Sequence, residues 1–302
     1  MNVKYNVDTK VIYNIGDPLD HSIAPYLINE VYSYMNLNAV SIPAVIPKGK
    51  LSEFVEAAKL LGCWGIDLTS PHKEDIIPFL DACDSAARAF GCVNTVKIQD
   101  GRLTGIGLDG SGLAYAVEDR LGSIKGRRAL ILGGGSVAGL VAHEMCVHDV
   151  SSITIANRTT EKAKKIAGII KDMHGVSCEH GPLEDSFLNE AAKNANIVIQ
   201  CTSLGRIGEQ GYDSYAFINN FPEDCFAIDV LYPETQFLNP CIARGIKTLN
   251  GQWMMLYQQI HKMKFHFGVE VPKSAIPAFE EAADVAVTLI RARRKRLEKP
   301  EK

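Results

Sequence analysis

Three stretches of the 302-residue sequence carry residue types at spacings that could do chemistry. The first is "GIDLTSPHKEDIIPF", Gly65 to Phe79, where Pro71-His72-Lys73 follows a β-rich run and precedes an amphipathic one. Most lysines sit on a solvated helix face. A lysine held where a strand meets a loop can instead face a cleft, where burial and neighbours retune its pKa for proton transfer. The second stretch is "ALILGGGSVAG", which fits G-x-G-x-x-A with Gly133, Gly135 and Ala138. Glycines so placed, after a strand and opening a helix, let the backbone approach a pyrophosphate whose charge meets the helix N-terminus. The third closes the next strand. A site for NAD normally puts Asp or Glu there to hold the ribose hydroxyls; this chain has Asn157-Arg158-Thr159, with Lys162 three residues further. A carboxylate would repel a 2′-phosphate, whereas a guanidinium attracts it and can bind it bidentately, so NADP is favoured over NAD.

The elements that must position these residues follow from periodicity. "KVIYNIG" reads as a strand, and "SIAPYLINEVYSYMNL" as a helix with Ile23, Leu27, Val31 and Met35 on one face. "NAVSIPAVI", "KLSEFVEAAKLLG" and "WGIDLTS" read as strand, helix and strand. "GCVNTVKIQDGRLTGIGLD" reads as a hairpin turning at Asp100-Gly101. Strands alternating with helices predict an α/β domain with a largely parallel sheet. A second α/β series begins near Arg127: "RRALIL", the glycine-rich helix start, "SSITIANRT", "EKAKKIAGIIKDMHG", "NIVIQCTSLG" and "DCFAIDVLY". From Trp253 the chain is helical, with Phe279, Ala283, Ala286 and Ile290 on one face, and its basic end, "RARRKRLEKPEK", reads as a solvated helix terminus.

Composition narrows the class. Hydrophobic residues make up 46 %, and the formal net charge of -3 gives no general attraction to nucleic acid. There is no apolar run long enough to span a membrane, and "MNVKYNVDTK" lacks the apolar core of a signal peptide, so a cytoplasmic protein is expected. The 8 cysteines show no CxxC spacing and read as free, mostly buried thiols. The 8 histidines form no ligand cluster, so no metal site is expected.

Taken together, "GDPLDHSIAP", "DLTSPHKE", "GCVNT", "GLDGSG", "LGGGSVAG", "NRTTEKA", "CTSLG" and "GQWMMLYQ" resemble the shikimate dehydrogenase family, including the quinate/shikimate dehydrogenases. The resemblance runs from about Val11 to Ala286. It implies a two-domain α/β fold: an N-terminal α/β substrate domain, 1–108, completed by C-terminal helices within 252–302, and an inserted Rossmann-type NADP-binding domain, 109–251. The implied reaction is hydride transfer between the nicotinamide and a ring carbon, which in the biosynthetic direction reduces 3-dehydroshikimate to shikimate. The family's PHK lysine and NTDG aspartate fall on Lys73 and Asp109, a catalytic acid–base pair. Ser22, Thr69, Asn94, Tyr232 and Gln258 fall on substrate-binding positions, although the loop after Tyr232 looks shorter than usual. Gly133, Gly135, Ala138, Asn157, Arg158, Thr159, Lys162, Thr202, Ser203 and Gly251 fall on the cofactor side. His21 and His72 read as structural neighbours. The implied partner is a small ring acid, with the protein a monomer or homodimer.

Four motif positions depart from the family. The second serine of HSxS is Ala24, the NTDG motif reads Gly107-Leu108-Asp109-Gly110, the asparagine before TxPHK is Asp67, and the methionine after CTSLG is Arg206. Asp67 would disfavour an anionic ligand if it faced the cleft. Catalytic and cofactor positions are intact while the pocket is altered. That leaves shikimate and a related acid such as quinate as alternative substrates. A dinucleotide-bound regulatory protein with weak turnover is the reading from another class, and intact Lys73 and Asp109 argue against it. A methylenetetrahydrofolate dehydrogenase would want tyrosine where Thr69 stands.

Overall fold

The computed structural model describes residues 5–20, 22–206, 210–233 and 235–297, with side chains as far as Arg293. His21 and the end of the basic run lie outside the described residues. The chain forms two compact units, Met1–Leu108 with Gln258–Lys302, and Asp109–Tyr257.

In the first unit, β1 (Lys10–Gly16), α1 (Ala24–Tyr34), β2 (Ala39–Val45), α2 (Leu51–Leu60) and β3 (Gly65–Leu68) alternate as the sequence periodicity predicts. The short α3 (His72–Asp75), β4 (Ala82–Cys83) and α4 (Ser85–Phe90) follow. The hairpin is then made by β5 (Thr95–Gln99) and β6 (Arg102–Ile106). Asp100 at φ 52 and Gly101 at φ 75 both take the left-handed conformation that a two-residue turn of the right twist demands. The sheet order is β2-β1-β3-β5-β6-β4. It is less parallel than expected: β5 runs antiparallel to both β3 and β6, and the two-residue turn dictates the second of these pairings, since it can only join antiparallel neighbours. Ile15, Ile66, Leu68, Val96 and Leu103 form its core, covered by Leu51, Val55 and Ala58 of α2.

The second unit begins with α5 (Asp109–Arg120). It continues through β7 (Arg128–Leu132), α6 (Ser136–Val147), β8 (Ser152–Asn157), α7 (Thr160–His174) and β9 (Ser177–Pro182). Its remaining elements are α8 (Asp185–Asn194), β10 (Ile197–Gln200), β11 (Phe226–Asp229), α9 (Leu238–Ala243) and β12 (Lys247–Leu249). All 6 strands are parallel, in the order β12-β11-β10-β7-β8-β9. The strand sequence therefore reverses direction between β7 and β10, the point in such a sheet where ligands bind at the carboxyl ends of the strands. The edge strand β9, "SCEHGP", has no apolar alternation and was not visible to periodicity.

The helix α10 (Gly251–Phe267) contains the division between the units, and α11 (Ile276–Leu297) packs on α1, with Tyr34 edge-on to Phe279 at 5.3 Å between centroids. Along α10, residues one turn apart meet successive rungs of the first sheet. Gln258 accepts from Asn94 Nδ2 at 3.4 Å, Lys262 lies 2.9 Å from Asp67 Oδ2, and the His266 carbonyl accepts from Trp64 Nε1 at 3.3 Å. His266 also fills the space at Gly65, where an added Cβ would lie 2.6 Å from its ring.

Asp67 thus does not face a ligand. It is 1 % exposed, paired with Lys262 and 3.7 Å from His266 Nε2. Burial alone would raise its carboxyl pKa. The Lys262 charge, with hydrogen bonding and charge from His266, outweighs burial and holds it below the ordinary carboxylate value. Lys262→Met would leave that carboxylate buried with only His266, 3.7 Å away, beside it, and should cost about 3–5 kcal/mol of stability in urea unfolding. Asp67→Leu combined with Lys262→Met should recover most of the loss, and equal stabilities for wild type and Lys262→Met would contradict this account.

Candidate active site

In the first unit, candidate side chains gather at one edge of the sheet. Ser22 lies in the connection leaving β1, Thr69 and Lys73 follow β3, and Asn94 immediately precedes β5, whose reversed direction brings its start to the same edge. Backbone bonds fix these segments to one another. Thr69 N donates to Ile15 O at 2.9 Å, Leu68 N donates to Asn94 O at 2.8 Å, and Val93 N donates to Lys73 O at 3.0 Å. Lys73 is therefore the second residue of a one-turn helix rather than part of a loop, and its main chain is tied to the residue beside Asn94. Asn94 is 3 % exposed, and three hydrogen bonds fix its amide while leaving one Nδ2 hydrogen to donate. Its Oδ1 accepts from Leu108 N at 3.0 Å and from the Thr95 hydroxyl at 3.2 Å, while Nδ2 donates to Gln258. The Ser22 hydroxyl accepts from Ala24 N at 3.3 Å, which leaves its O–H to donate. His72 is fully buried, with Nε2 2.7 Å from Ile46 O, an anchor for α3.

In the second unit, the glycine turn has three different occupations. Gly133 sits at φ +122, and an added Cβ would lie 3.0 Å from the Cys201 carbonyl carbon. At Gly134 a Cβ would lie 2.9 Å from Asn157 Cγ. At Gly135, the residue preceding α6, it would meet nothing within 4 Å. The first two glycines are required by the protein itself; the third leaves open space at a helix start that no side chain caps. Free amides, the positive end of the helix and open space in front of them fit the pyrophosphate of a dinucleotide. Ala138 is fully buried beneath. At the end of β8, Arg158, Thr159 and Lys162 are exposed, and α7 likewise starts without a side-chain cap, so the donor set suits a 2′-phosphate. Asn157 braces this turn: its Nδ2 donates to Thr159 O at 2.9 Å.

Thr202 and Ser203 follow β10, and Tyr232 follows β11, on the same edge as the glycine turn. Gly251 is buried, and an added Cβ would lie 2.0 Å from Val230 O, so its lack of a side chain serves close packing. Asp109 is 2 % exposed at the first position of α5. Its neighbour Gly110 lets α5 approach α6, where a Cβ would lie 2.2 Å from Leu140 O. Among the described residues no group of His, Cys, Asp or Glu could hold a metal, no disulfide forms, and no helix is long and apolar enough to cross a membrane.

An all-parallel sheet with a glycine turn at its reversal point, in a chain whose other α/β unit presents a lysine and amides at a sheet edge, defines an α/β dinucleotide-dependent oxidoreductase. Comparison with known proteins narrows this. Residues 15–96 match the family model described as shikimate dehydrogenase substrate binding domain, and residues 115–232 match shikimate / quinate 5-dehydrogenase. A shikimate dehydrogenase (NADP(+)) of Methanocaldococcus jannaschii is 34 % identical over 278 residues, 90 % of this chain and 97 % of that protein. Among solved structures, shikimate 5-dehydrogenase from Listeria monocytogenes in complex with shikimate and NAD superposes with TM-score 0.82, at 26 % identity, covering 93 % of this chain and 98 % of that one. Quinate dehydrogenase from Corynebacterium glutamicum in complex with NAD gives 0.79, at 25 % identity, covering 91 % and 98 %. The chain belongs to the shikimate dehydrogenase family.

The sequence reading passed over two buried polar residues that shape the second unit's edge. Gln200, fully buried, donates from Nε2 to Thr202 O at 3.2 Å, Leu204 O at 3.1 Å and Asp229 Oδ1 at 3.3 Å, and its Oε1 accepts from Thr202 N. Asp229 Oδ1 also accepts from Leu231 N at 2.9 Å. Their signal was a polar residue closing an otherwise apolar strand, "IVIQ" and "FAID". Burial raises the Asp229 carboxyl to about 7 despite those hydrogen bonds. The folded protein then keeps a proton that the unfolded chain releases near pH ~4, so this group makes stability fall as pH rises from there to about 7. Asp229→Asn should flatten that part of the profile, measured as urea midpoints across the window. Parallel curves for variant and wild type would show that Asp229 does not titrate there.

Proposed function

We propose that this protein is an NADP-dependent oxidoreductase that interconverts 3-dehydroshikimate and shikimate, a step toward aromatic amino acids. The observation that supports it most directly is Lys73, tethered through its own carbonyl to the strand entry that carries Asn94. In this reading Met1–Leu108 with the C-terminal helices holds the ring acid and the Rossmann-type unit holds the dinucleotide. Bound NADPH supplies the hydride, and NADP takes it in the reverse direction. Reduction of a ketone builds negative charge on its oxygen, and the Lys73 ammonium donates the proton that neutralises it; in the other direction its amine accepts the proton. Asp109, assigned from the family motif, orients Lys73 and tunes its proton affinity. Thr69, Asn94 and Gln258 bind ring hydroxyls, and Ser22 with Tyr232 holds the carboxylate. The glycine turn takes the pyrophosphate, Arg158 and Lys162 clamp the 2′-phosphate, and Thr202, Ser203 and Gly251 belong to the cofactor side. The 8 free thiols suit a reducing cytoplasm.

A second reading, a dehydrogenase acting on quinate or another hydroxylated ring acid, draws on the pocket departures. Ala24 opens α1 at 4 % exposure and offers a methyl group where the family has a hydroxyl donor. Gly107 and Leu108 use their amides on Asp84 and Asn94 and bring no polar side chain.

Lys73→Ala should lower kcat by about two to four orders of magnitude, the usual range for a general acid–base group, and leave NADP affinity nearly unchanged. Assay with shikimate and with quinate decides between the two readings by the ratio of kcat/KM, and a variant that keeps most of its kcat on both would overturn the lysine's role. Arg158→Ala should raise KM for NADP by about tenfold or more, the worth of a charge-assisted contact of ~1.5–3 kcal/mol, with little change for NAD. Equal losses with both cofactors would remove the clamp from the account.

A further inference from the structure

A cavity of about 600 Å³ opens on the first unit beside Ser22, walled by the loop that leaves β1, by α1, by the end of β2 and by Arg293 of α11. That volume holds a ligand group of some size, not merely the oxygens of a carboxylate. Ser22 is 9 % exposed, and it belongs both to this wall and to the candidate substrate set. Its Oγ takes the Ala24 amide, and its hydroxyl hydrogen has no acceptor among the described residues, so one buried donor serves whatever lies at this point. Asn29, also in the wall, offers no competing donor: its amide group is bound to Pro25 O, Ser41 O and Ser41 N.

A free carboxylate is a poor match for that point. Its two oxygens share a full charge and about four lone-pair sites that call for donors. Ala24 presents a methyl group, and its amide is already spent on Ser22. The rest of the wall has the wrong sign: Asp17, Asp20 and Glu30 bring carboxylates against the single guanidinium of Arg293, and all four residues are exposed. An amide carbonyl needs only one donor, bears no charge and leads on to a substituent. Leu19, Pro25 and Pro43 give that substituent an apolar floor, and the carboxylates suit a cation at its far end. We propose that the substrate is a hydroxylated ring acid whose carboxyl group is capped as the amide of a short diamine. The cap lies in the cavity beside Ser22, with its ammonium among Asp17, Asp20 and Glu30. This rests on the ring-acid reading above and leaves its chemistry as it stands: hydride passes between ring carbon and nicotinamide, the proton passes through Lys73, and the cap contributes binding alone.

Oxidation of three compounds by the full chain with NADP tests the assignment: shikimate, its N-propyl amide and its N-(2-aminoethyl) amide. The two amides match in non-hydrogen atoms and differ by one charge. The propyl amide should exceed shikimate in kcat/KM by about tenfold, the effect of no longer burying a carboxylate short of one hydrogen bond. The aminoethyl amide should exceed the propyl amide by about tenfold again, since exposed charge pairs contribute little singly and several act together here. Ala24→Ser should move the first ratio toward shikimate by about tenfold, and Glu30→Gln with Asp17→Asn should remove the second. Each readout is a ratio within one preparation, so a variant that folds only in part still reports it. Shikimate as the best of the three overturns the inference and leaves the ring-acid reading standing, and so does an aminoethyl amide no better than the propyl amide. No turnover of any of the three removes the ring-acid reading and the inference together.

Discussion

The ion pair between Asp67 and Lys262 is the constraint on which the first unit depends. Both side chains are almost wholly removed from water, at 1 % and 4 % exposure, so neither charge is tolerable without the other. The pair ties the central strand β3 to a helix that arrives only after the whole second unit has been made. It also sets the register of everything near it. Asp67 is two residues from Thr69 and pairs across the sheet with Thr95, the neighbour of Asn94; Lys262 is one helical turn from Gln258. Closing the pair therefore closes the Asn94–Gln258 contact, and Gly65 gives His266 its place one turn further on. A charged pair costs more to bury than an apolar one of the same shape, but it permits fewer alternative alignments of helix on strand.

The second unit solves the same problem with neutral groups. Its edge loops hang on two side chains at the ends of β10 and β11, Gln200 and Asp229, which satisfy main-chain groups that burial would otherwise leave without partners. The glycine turn is held from behind by the Cys201 carbonyl and Asn157. Rigid support from inside leaves the outward amides of α6 available at no cost in reorganisation.

Much of this was legible in the sequence, for identifiable reasons. Strands with a strong apolar run, such as "RALIL" of β7, declare themselves by period alone, and so do helices with an unbroken apolar stripe, such as the α11 face through Phe279 and Ile290. The glycine turn is legible because Gly133, at φ +122, takes a conformation other residues rarely adopt and Gly134 has no room for a Cβ. What escaped were pieces whose structure is set by distant partners: the polar edge strand β9, the one-turn helix that carries Lys73, and the direction of β5. The fate of Asp67 belongs here too. From its neighbours it looks like a charge at a cleft, and only Lys262, far along the chain, makes it an interior residue.

Asn157 has a consequence for how cofactor preference can change over evolution. Its amide holds Thr159 and its Cγ lies against Gly134, so the position where an NAD-type site keeps its acid is already part of the scaffold of the phosphate turn. Arg158 and Lys162, by contrast, are solvent-facing and serve nothing that the turn requires. If those two side chains clamp the 2′-phosphate as proposed, mutational drift can erase the preference for the phosphorylated dinucleotide in one or two surface steps. Acquiring the opposite preference demands that the residue at 157 and the glycine it packs against change in concert. The fold makes relaxed selectivity the near neighbour of the present sequence and reversed selectivity a remote one.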